Sequence, residues 1–232
     1  MTLTCVSCFY IINNKHGDNY YKWFHNTLKV NCPYVIFTTE DLVPILQRYR
    51  QHLPTYYIVY NITDFHTYQF KDRLSTHPIH CPSVELNLVW NEKIHMIKKA
   101  AELNIFNSDW FMWIDAGICN FRDKPPPNKS IHDLPQLAKL PTTKLIYTES
   151  FPYIDKAVRL NTYYHHVSGT YMVHSSFINE LAELYYTFFD TLTVHRNVWT
   201  DQVVFTHIFK KHPEMFYKLA NGYGAMIPFL YI

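Results

Sequence analysis

An aspartate directly after four apolar residues is the sharpest chemical feature of the sequence. Phe111-Met112-Trp113-Ile114 reads as a short buried strand, and Asp115-Ala116-Gly117 ends it. A carboxylate in that place is either a cap on the following turn or a group that holds a ligand. Open parallel sheets bind ligands at the carboxyl ends of their strands, where loops converge and helix N-termini supply N–H donors. That rule selects three places: Tyr10 to Lys15, Asp115 to Gly117, and Thr148-Glu149. Tyr10 can lay its ring against a planar base or simply pack in the core. His165-His166, next to Ser168-Gly169, can touch substrate hydroxyls or join a metal site; among 14 histidines, chance surface placement is the competing account. Cys5 and Cys8 form a lone C-x-x-C inside an apolar run with no second pair, which reads as packing rather than zinc or redox chemistry. There is no Gly-rich lysine loop of the kind that cradles nucleoside triphosphates.

The elements that must position these residues follow from hydrophobic periodicity. Residues 3–12 are strand-like and end in a polar turn, after which Tyr20, Trp23, Phe24, Thr27 and Leu28 recur at helical spacing. Tyr34 to Phe37 read as a second strand, Glu40-Asp41 open a helix through Leu53, and Tyr56 to Tyr60 form a third strand. Alternation of this kind predicts a mostly parallel central sheet with helices on both faces. Residues 61–82 are less regular; Ser83 then opens a long helix through Ala101, which Asn104 to Asp109 break before the Asp115 strand. Lys124 to Lys129, with three prolines, read as an exposed loop, and strand-like Lys144 to Tyr147 resume the pattern. Val167 to His174 form a further strand, Phe177 to Leu192 a helix, and Thr200 caps another helix through Lys211 with Asp201 in its first turn. The apolar tail Pro228 to Ile232 is expected to dock on the body or a partner.

Composition bounds the function. At 232 residues with 48% hydrophobic and 17% charged side chains, the chain suits one domain, 1–232, with a large core. Its +2 charge is scattered, which argues against a nucleic-acid polymer as partner. The 19 tyrosines and 16 phenylalanines supply rings suited to sugars and bases, though most must serve packing. Five cysteines without a framework point to free thiols and a cytoplasmic setting. The apolar start lacks a basic leader and is too short to span a bilayer, so no integral membrane contact is expected.

The order Trp90-Asn91-Glu92-Lys93, Ala100, Asn104 to Ser108, then Phe111 to Gly117 resembles the signature of the HtrL/YibB-like (WlaTC/HtrL) glycosyltransferase family. The likeness continues in Val167-Ser168-Gly169 and in Asp201-Gln202-Val203-Val204-Phe205 before His212-Pro213-Glu214. The resemblance implies a GT-A-like single domain that moves a sugar from a nucleotide-sugar donor, with UDP-sugar the expected one, to a hydroxyl of a glycan or other acceptor. In that fold the strand-end acid usually belongs to an Asp-x-Asp motif that holds Mn²⁺ or Mg²⁺ against the diphosphate. Here Gly117 replaces the second acid, leaving Asp115 as the one carried-over metal ligand.

Loss of a nucleoside diphosphate leaves negative charge that a hard cation or basic side chains must stabilise. Lys93 can supply it, or can lie on a solvated helix face. Gly117 allows close approach of a phosphate, or serves a turn with positive φ. An inverting transfer needs a base for the acceptor proton, and Asp201 is the candidate; its helix-start position would lower its pKa, which favours capping as the rival role. In a retaining transfer, Glu149 would stand at the anomeric centre. His166, Ser168, Gly169 and Gln202 complete the expected substrate contacts. A carbohydrate-binding protein without turnover and a nucleotidyltransferase remain the alternative readings.

Overall fold

The computed structural model describes all residues, Met1–Ile232. In chain order the elements are β1 (Leu3–Phe9), α1 (Asn19–Thr27), β2 (Tyr34–Thr38), α2 (Val43–Tyr49), β3 (Thr55–Val59), α3 (Val84–Leu103) and β4 (Trp110–Trp113). They continue with β5 (Leu145–Glu149), α4 (Asp155–Leu160), β6 (Val167–His174), α5 (Ile178–His195), α6 (Asp201–Lys211), β7 (Phe216–Asn221) and α7 (Met226–Leu230). All seven strands join one sheet in the order β3-β2-β1-β4-β6-β5-β7. β6 alone runs antiparallel to its neighbours β4 and β5, and the other pairings are parallel.

Alternate residues of the strands feed two cores, one on each face. Val6, Cys8, Phe111, Trp113 and Tyr171 face α3, α5 and α6. Leu3, Cys5, Phe9, Met112 and Ile114 face α1, α2, the coil around Ile131–Leu140 and α7. This is the period-two alternation of a strand buried on both sides. The expected mostly parallel sheet with helices on both faces is therefore present. Cys5 and Cys8 point to opposite cores and remain free thiols, as the packing reading of C-x-x-C requires. The C-terminal tail docks through Met226, Ile227 and Leu230 on the α1 side. No helix is long and apolar enough to cross a membrane.

Polar groups inside the sheet are satisfied locally. Ser7 Oγ donates to the Ile114 carbonyl at 2.8 Å, and Thr38 Oγ1 to that of Phe9 at 2.8 Å. Arg50, 3% exposed, ties the α1–β2 connection to the start of β3 by donating to the carbonyls of Leu28, Val30, Cys32 and Pro54. Helix α3 begins at Ser83, whose Oγ accepts from the Leu86 N–H at 3.1 Å. It ends at Asn104, which takes the left-handed conformation at φ 36° and accepts the Ser108 N–H on its side chain. That cap turns the chain directly into β4.

Two differences from the sequence reading matter for the site. The segment from β5 to β6 carries only the short α4 and no long helix to return the chain to the far end of the sheet. β6 consequently starts where β5 ends and runs antiparallel. Its first residues, Val167-Ser168-Gly169, thus lie at the same end of the sheet as Asp115. The second difference is β7, which the sequence pattern does not announce because only Phe216 of its six residues is buried. It pairs with β5 at the sheet edge, and the following turn delivers Tyr223 to the cleft.

Candidate functional site

After β3 the chain crosses back through α3 to place β4 on the other side of β1, so the strand order reverses between β1 and β4. A crevice at the carboxyl ends of the strands is expected at such a point. Two adjoining cavities occupy it. The first, about 210 Å³, is an aromatic slot between the residues after β1 and the start of α3, walled by Phe9, Tyr10, Tyr20, Tyr21, Trp90 and Trp113. The second, about 290 Å³, is a polar chamber bearing Lys15, Arg122, Asp201, Gln202, His165 and Tyr223. Tyr20, Trp90, Lys93 and Asp115 line both and form the seam between them.

At the seam sits a lysine between two carboxylates. Lys93 Nζ lies 3.0 Å from Asp115 Oδ1 and 3.3 Å from Asp201 Oδ2, and its side chain is only 4% exposed. It rises from a stretch of α3 that is buried nearly all round and not from a solvated face; Asn87 and Asn91, also buried, project from other sides of the helix. Asn87 donates to the Val198 carbonyl at 2.7 Å, fixing the segment that leads into Thr200-Asp201. Asn91 donates back to Asn87 Oδ1 and accepts from the Tyr185 hydroxyl. Gly169 borders the set: a Cβ there would make ordinary van der Waals contact with Lys93 Nζ at 3.5 Å and Asp115 Oδ2 at 3.6 Å.

The pKa values of the two acids are shifted in opposite directions. Burial pushes the Asp115 carboxyl up, but the Lys93 charge and hydrogen bonds from Trp113 Nε1 (2.8 Å), Lys93 and the Tyr223 hydroxyl (2.8 Å) outweigh it and hold its pKa below the ordinary value. Asp201 has fewer donors. Thr200 Oγ1 donates to its Oδ1 at 3.0 Å, while Oδ2 has no hydrogen-bond partner beyond the Lys93 ion pair. Burial therefore prevails, and its pKa rises to about 6 despite Lys93. This reverses the lowering expected from the helix start: Thr200 is the cap, accepting the Gln202 N–H, and desolvation exceeds the dipole. Burial also lowers the Lys93 pKa in principle, but the two carboxylates more than reverse it, so the ammonium stays charged.

The remaining expected residues divide between cleft and scaffold. Tyr10 walls the aromatic slot and donates its hydroxyl to the Tyr60 carbonyl at 2.8 Å. Gly117 lines the chamber, but its φ is not positive; a Cβ there would come within 2.9 Å of the Trp23 ring and 3.2 Å of Tyr20, so the close approach it permits is that of α1. Gln202 lines the chamber and donates to His165 Nδ1 at 3.2 Å. His165, 8% exposed and with its pKa lowered to about 4 by burial and Lys15, is the histidine of the pair that reaches the cleft. His166 is turned into the core, accepting from the Tyr147 hydroxyl at Nε2 and donating Nδ1–H to the Phe151 carbonyl. Ser168 is wholly buried and bonded to Thr148 Oγ1 at 2.7 Å. Glu149 lines neither cavity and binds Lys218 at 3.2 Å beside β7.

Lys15 falls at the end of the Tyr10 to Lys15 stretch that the sequence marks, whereas His16, Arg122 and Tyr223 are among the lining residues it does not single out. Lys15 Nζ stands 5.4 Å above the Trp90 ring, and the Arg122 guanidinium 4.1 Å from the Trp23 ring with its Nε donating to the Gly117 carbonyl. The turn of Asn13 to Gly17 after β1 was the available signal for Lys15; nothing local marks Arg122 or Tyr223.

A divalent cation fits these donors poorly. No three His, Cys, Asp or Glu side chains converge anywhere in the chain. Both Asp115 oxygens are already engaged, and Lys93 fills the space between the two acids. A diphosphate-borne cation would find at most one unengaged site on Asp115, beside the Lys93 ammonium that repels it.

The HtrL_YibB family, described as a bacterial protein of unknown function, matches residues 57–225. Protein HtrL of Escherichia coli (strain K12) is 28% identical over 118 aligned positions, covering 44% of this chain. The match spans about two fifths (41%) of that relative's length. The matched family range contains Lys93, Asp115, Asp201 and Tyr223 but begins after the Tyr10–Lys15 wall.

Proposed function

The chain belongs to the HtrL_YibB family, and on that premise we propose that it is a glycosyltransferase, moving a sugar from a nucleotide-sugar donor, a UDP-sugar first of all, to an acceptor hydroxyl. The observation that carries this reading is the Asp115-Lys93-Asp201 set at the seam of an aromatic slot and a basic chamber. A nucleotide sugar is built the same way, with a flat apolar base joined to an anionic diphosphate. The mostly parallel sheet with helices on both faces is also the architecture that a GT-A-type enzyme calls for.

In this reading Tyr10, Tyr21 and Trp90 enclose the base, and Lys15 and Arg122 face the diphosphate. The acceptor oxygen attacks the anomeric carbon and forms the new C–O bond. The bond from that carbon to the β-phosphate oxygen breaks, and its electron pair leaves with the nucleoside diphosphate. The acceptor proton passes to Asp201, whose pKa of about 6 suits a base that must be ionised near neutrality yet still bind a proton. Asp115, permanently ionised, fixes Lys93, and Gln202 and His165 border the acceptor side of the chamber.

The test is thermal stability of the protein against UDP-, GDP-, dTDP- and CMP-sugars, followed by turnover with the class that binds. A melting-temperature rise for one class, with release of the nucleoside diphosphate on adding acceptor glycans and loss of turnover in Asp201→Asn, is the expected result. No shift with any of the four would sink the proposal.

A further inference from the structure

The space where sugar-nucleotide chemistry commonly needs a metal is filled here by a side chain. Lys93 Nζ is 3.0 Å from one carboxylate and 3.3 Å from a second, in a pocket with 4% exposure of the lysine. It also stands 5.5 Å from the Trp113 ring centroid, and Gly169 lies beside it. We propose that Lys93 is the built-in cation of this site, so that donor binding and transfer proceed with no divalent metal. The inference rests on the glycosyltransferase reading for its chemistry but not for its geometry.

Three features carry it. The ammonium occupies the midpoint of two acids that would otherwise repel each other, which is the position a divalent ion takes between carboxylates. Most of the acceptor capacity of Asp115 is already taken, since Trp113 Nε1 and Lys93 approach Oδ1 and Tyr223 donates to Oδ2, which leaves at most one site on Oδ2 for a metal. The same cleft provides two further fixed cations, Lys15 and Arg122, held against the faces of Trp90 and Trp23. Lys93 offsets the charge of the two acids, and Lys15 and Arg122, for which no acidic partner is found, supply the positive charge with which a metal would meet a leaving diphosphate. Gly117 in place of a second strand-end acid agrees with this, because another carboxylate there would weaken the hold of a cationic cleft on a diphosphate.

The experiment uses Mn²⁺ and UDP-sugar separately. Mn²⁺ uptake by the purified full chain is followed by electron paramagnetic resonance in wild type, Lys93→Ala and Lys93→Ala/Asp115→Asn, and the UDP-sugar thermal shift is measured in Mn²⁺ and in EDTA. The expected result is no stoichiometric Mn²⁺ uptake by wild type, a gained site in Lys93→Ala that Asp115→Asn abolishes, and an EDTA-insensitive shift in wild type. Uptake of one Mn²⁺ per wild-type chain, or a wild-type shift that EDTA removes, would overturn the proposal. If Lys93→Ala does not fold, the wild-type uptake measurement decides alone. Absence of any UDP-sugar shift would count against the glycosyltransferase reading and leave the Mn²⁺ result to judge Lys93 independently.

Discussion

Replacing Asp201 by asparagine should abolish turnover and, at neutral pH, make the protein more stable. The carboxyl is 1% exposed, its Oδ2 has no hydrogen bond, and its pKa is raised from the ordinary 3.8 to about 6. Keeping it ionised in the fold therefore costs about 3 kcal/mol relative to the unfolded chain. Because the folded pKa is the higher one, the folded chain holds the proton through a window where the unfolded chain has lost it. Stability falls as pH rises from the unfolded value to about 6, and stays at its lower level above that. Asparagine keeps the Thr200 hydrogen bond and removes the charge, so it escapes this loss, less the cost of setting its NH2 against the Lys93 ammonium 3.3 Å from the Oδ2 place. The assay is urea or thermal unfolding of wild type and Asp201→Asn at pH 4 and pH 8, read by tryptophan fluorescence. At pH 4 the two should coincide. At pH 8 the variant should melt roughly 6–12 °C higher, given the usual response of a chain of this size. Turnover should drop by about 10²- to 10⁴-fold, the typical contribution of a general base. A variant less stable than wild type at pH 8, or a gap that does not change with pH, would refute the reasoning and make Asp201 a net stabilising partner of Lys93.

Three further outcomes follow from other parts of the structure. Lys15→Ala and Arg122→Ala should each weaken UDP binding by roughly tenfold, the worth of a charge-assisted hydrogen bond, with calorimetry showing a smaller effect in high salt. Gly117→Ala places a Cβ 2.9 Å from the Trp23 ring against which Arg122 stacks, so it should destabilise by about 1–3 kcal/mol by overpacking and also lower UDP affinity. An unchanged affinity would separate α1 from the cleft. Arg50→Met would leave the Leu28 and Cys32 carbonyls without a donor, while those of Val30 and Pro54 keep the backbone N–H groups of Cys32 and Tyr34, and should cost about 3 kcal/mol in denaturant unfolding, while the fold's remaining activity keeps its pH profile.

Much of the scaffold was legible because it is written in local periodicity. The strand-turn-helix order through residue 60, the Ser83 cap, the Asn104 stop and the apolar run ahead of Asp115 all depend on neighbours within a few residues. So did the choice of Asp115, since the carboxyl end of a buried central strand is a place that sequence pattern can mark. The mostly exposed strand β7 escaped because Lys218 and Asn221 interrupt its apolar residues, whereas the other edge strand, β3, carries an unbroken Tyr-Tyr-Ile-Val run.

The sequence by itself determined the α/β class, the two-sided core and the end of the sheet at which chemistry can occur, because these follow from apolar spacing and strand direction. Only the tertiary structure decided which polar residues meet there. Lys93, Asp115 and Asp201 lie on α3, after β4 and at the start of α6, and nothing in their spacing states that Lys93 bridges the other two. Likewise, His165 and His166 are adjacent in sequence, yet one faces the chamber and the other the core. The direction of the Asp201 shift was also out of reach of sequence: the dipole at a helix start is local, whereas desolvation depends on every chain segment that closes over the carboxyl.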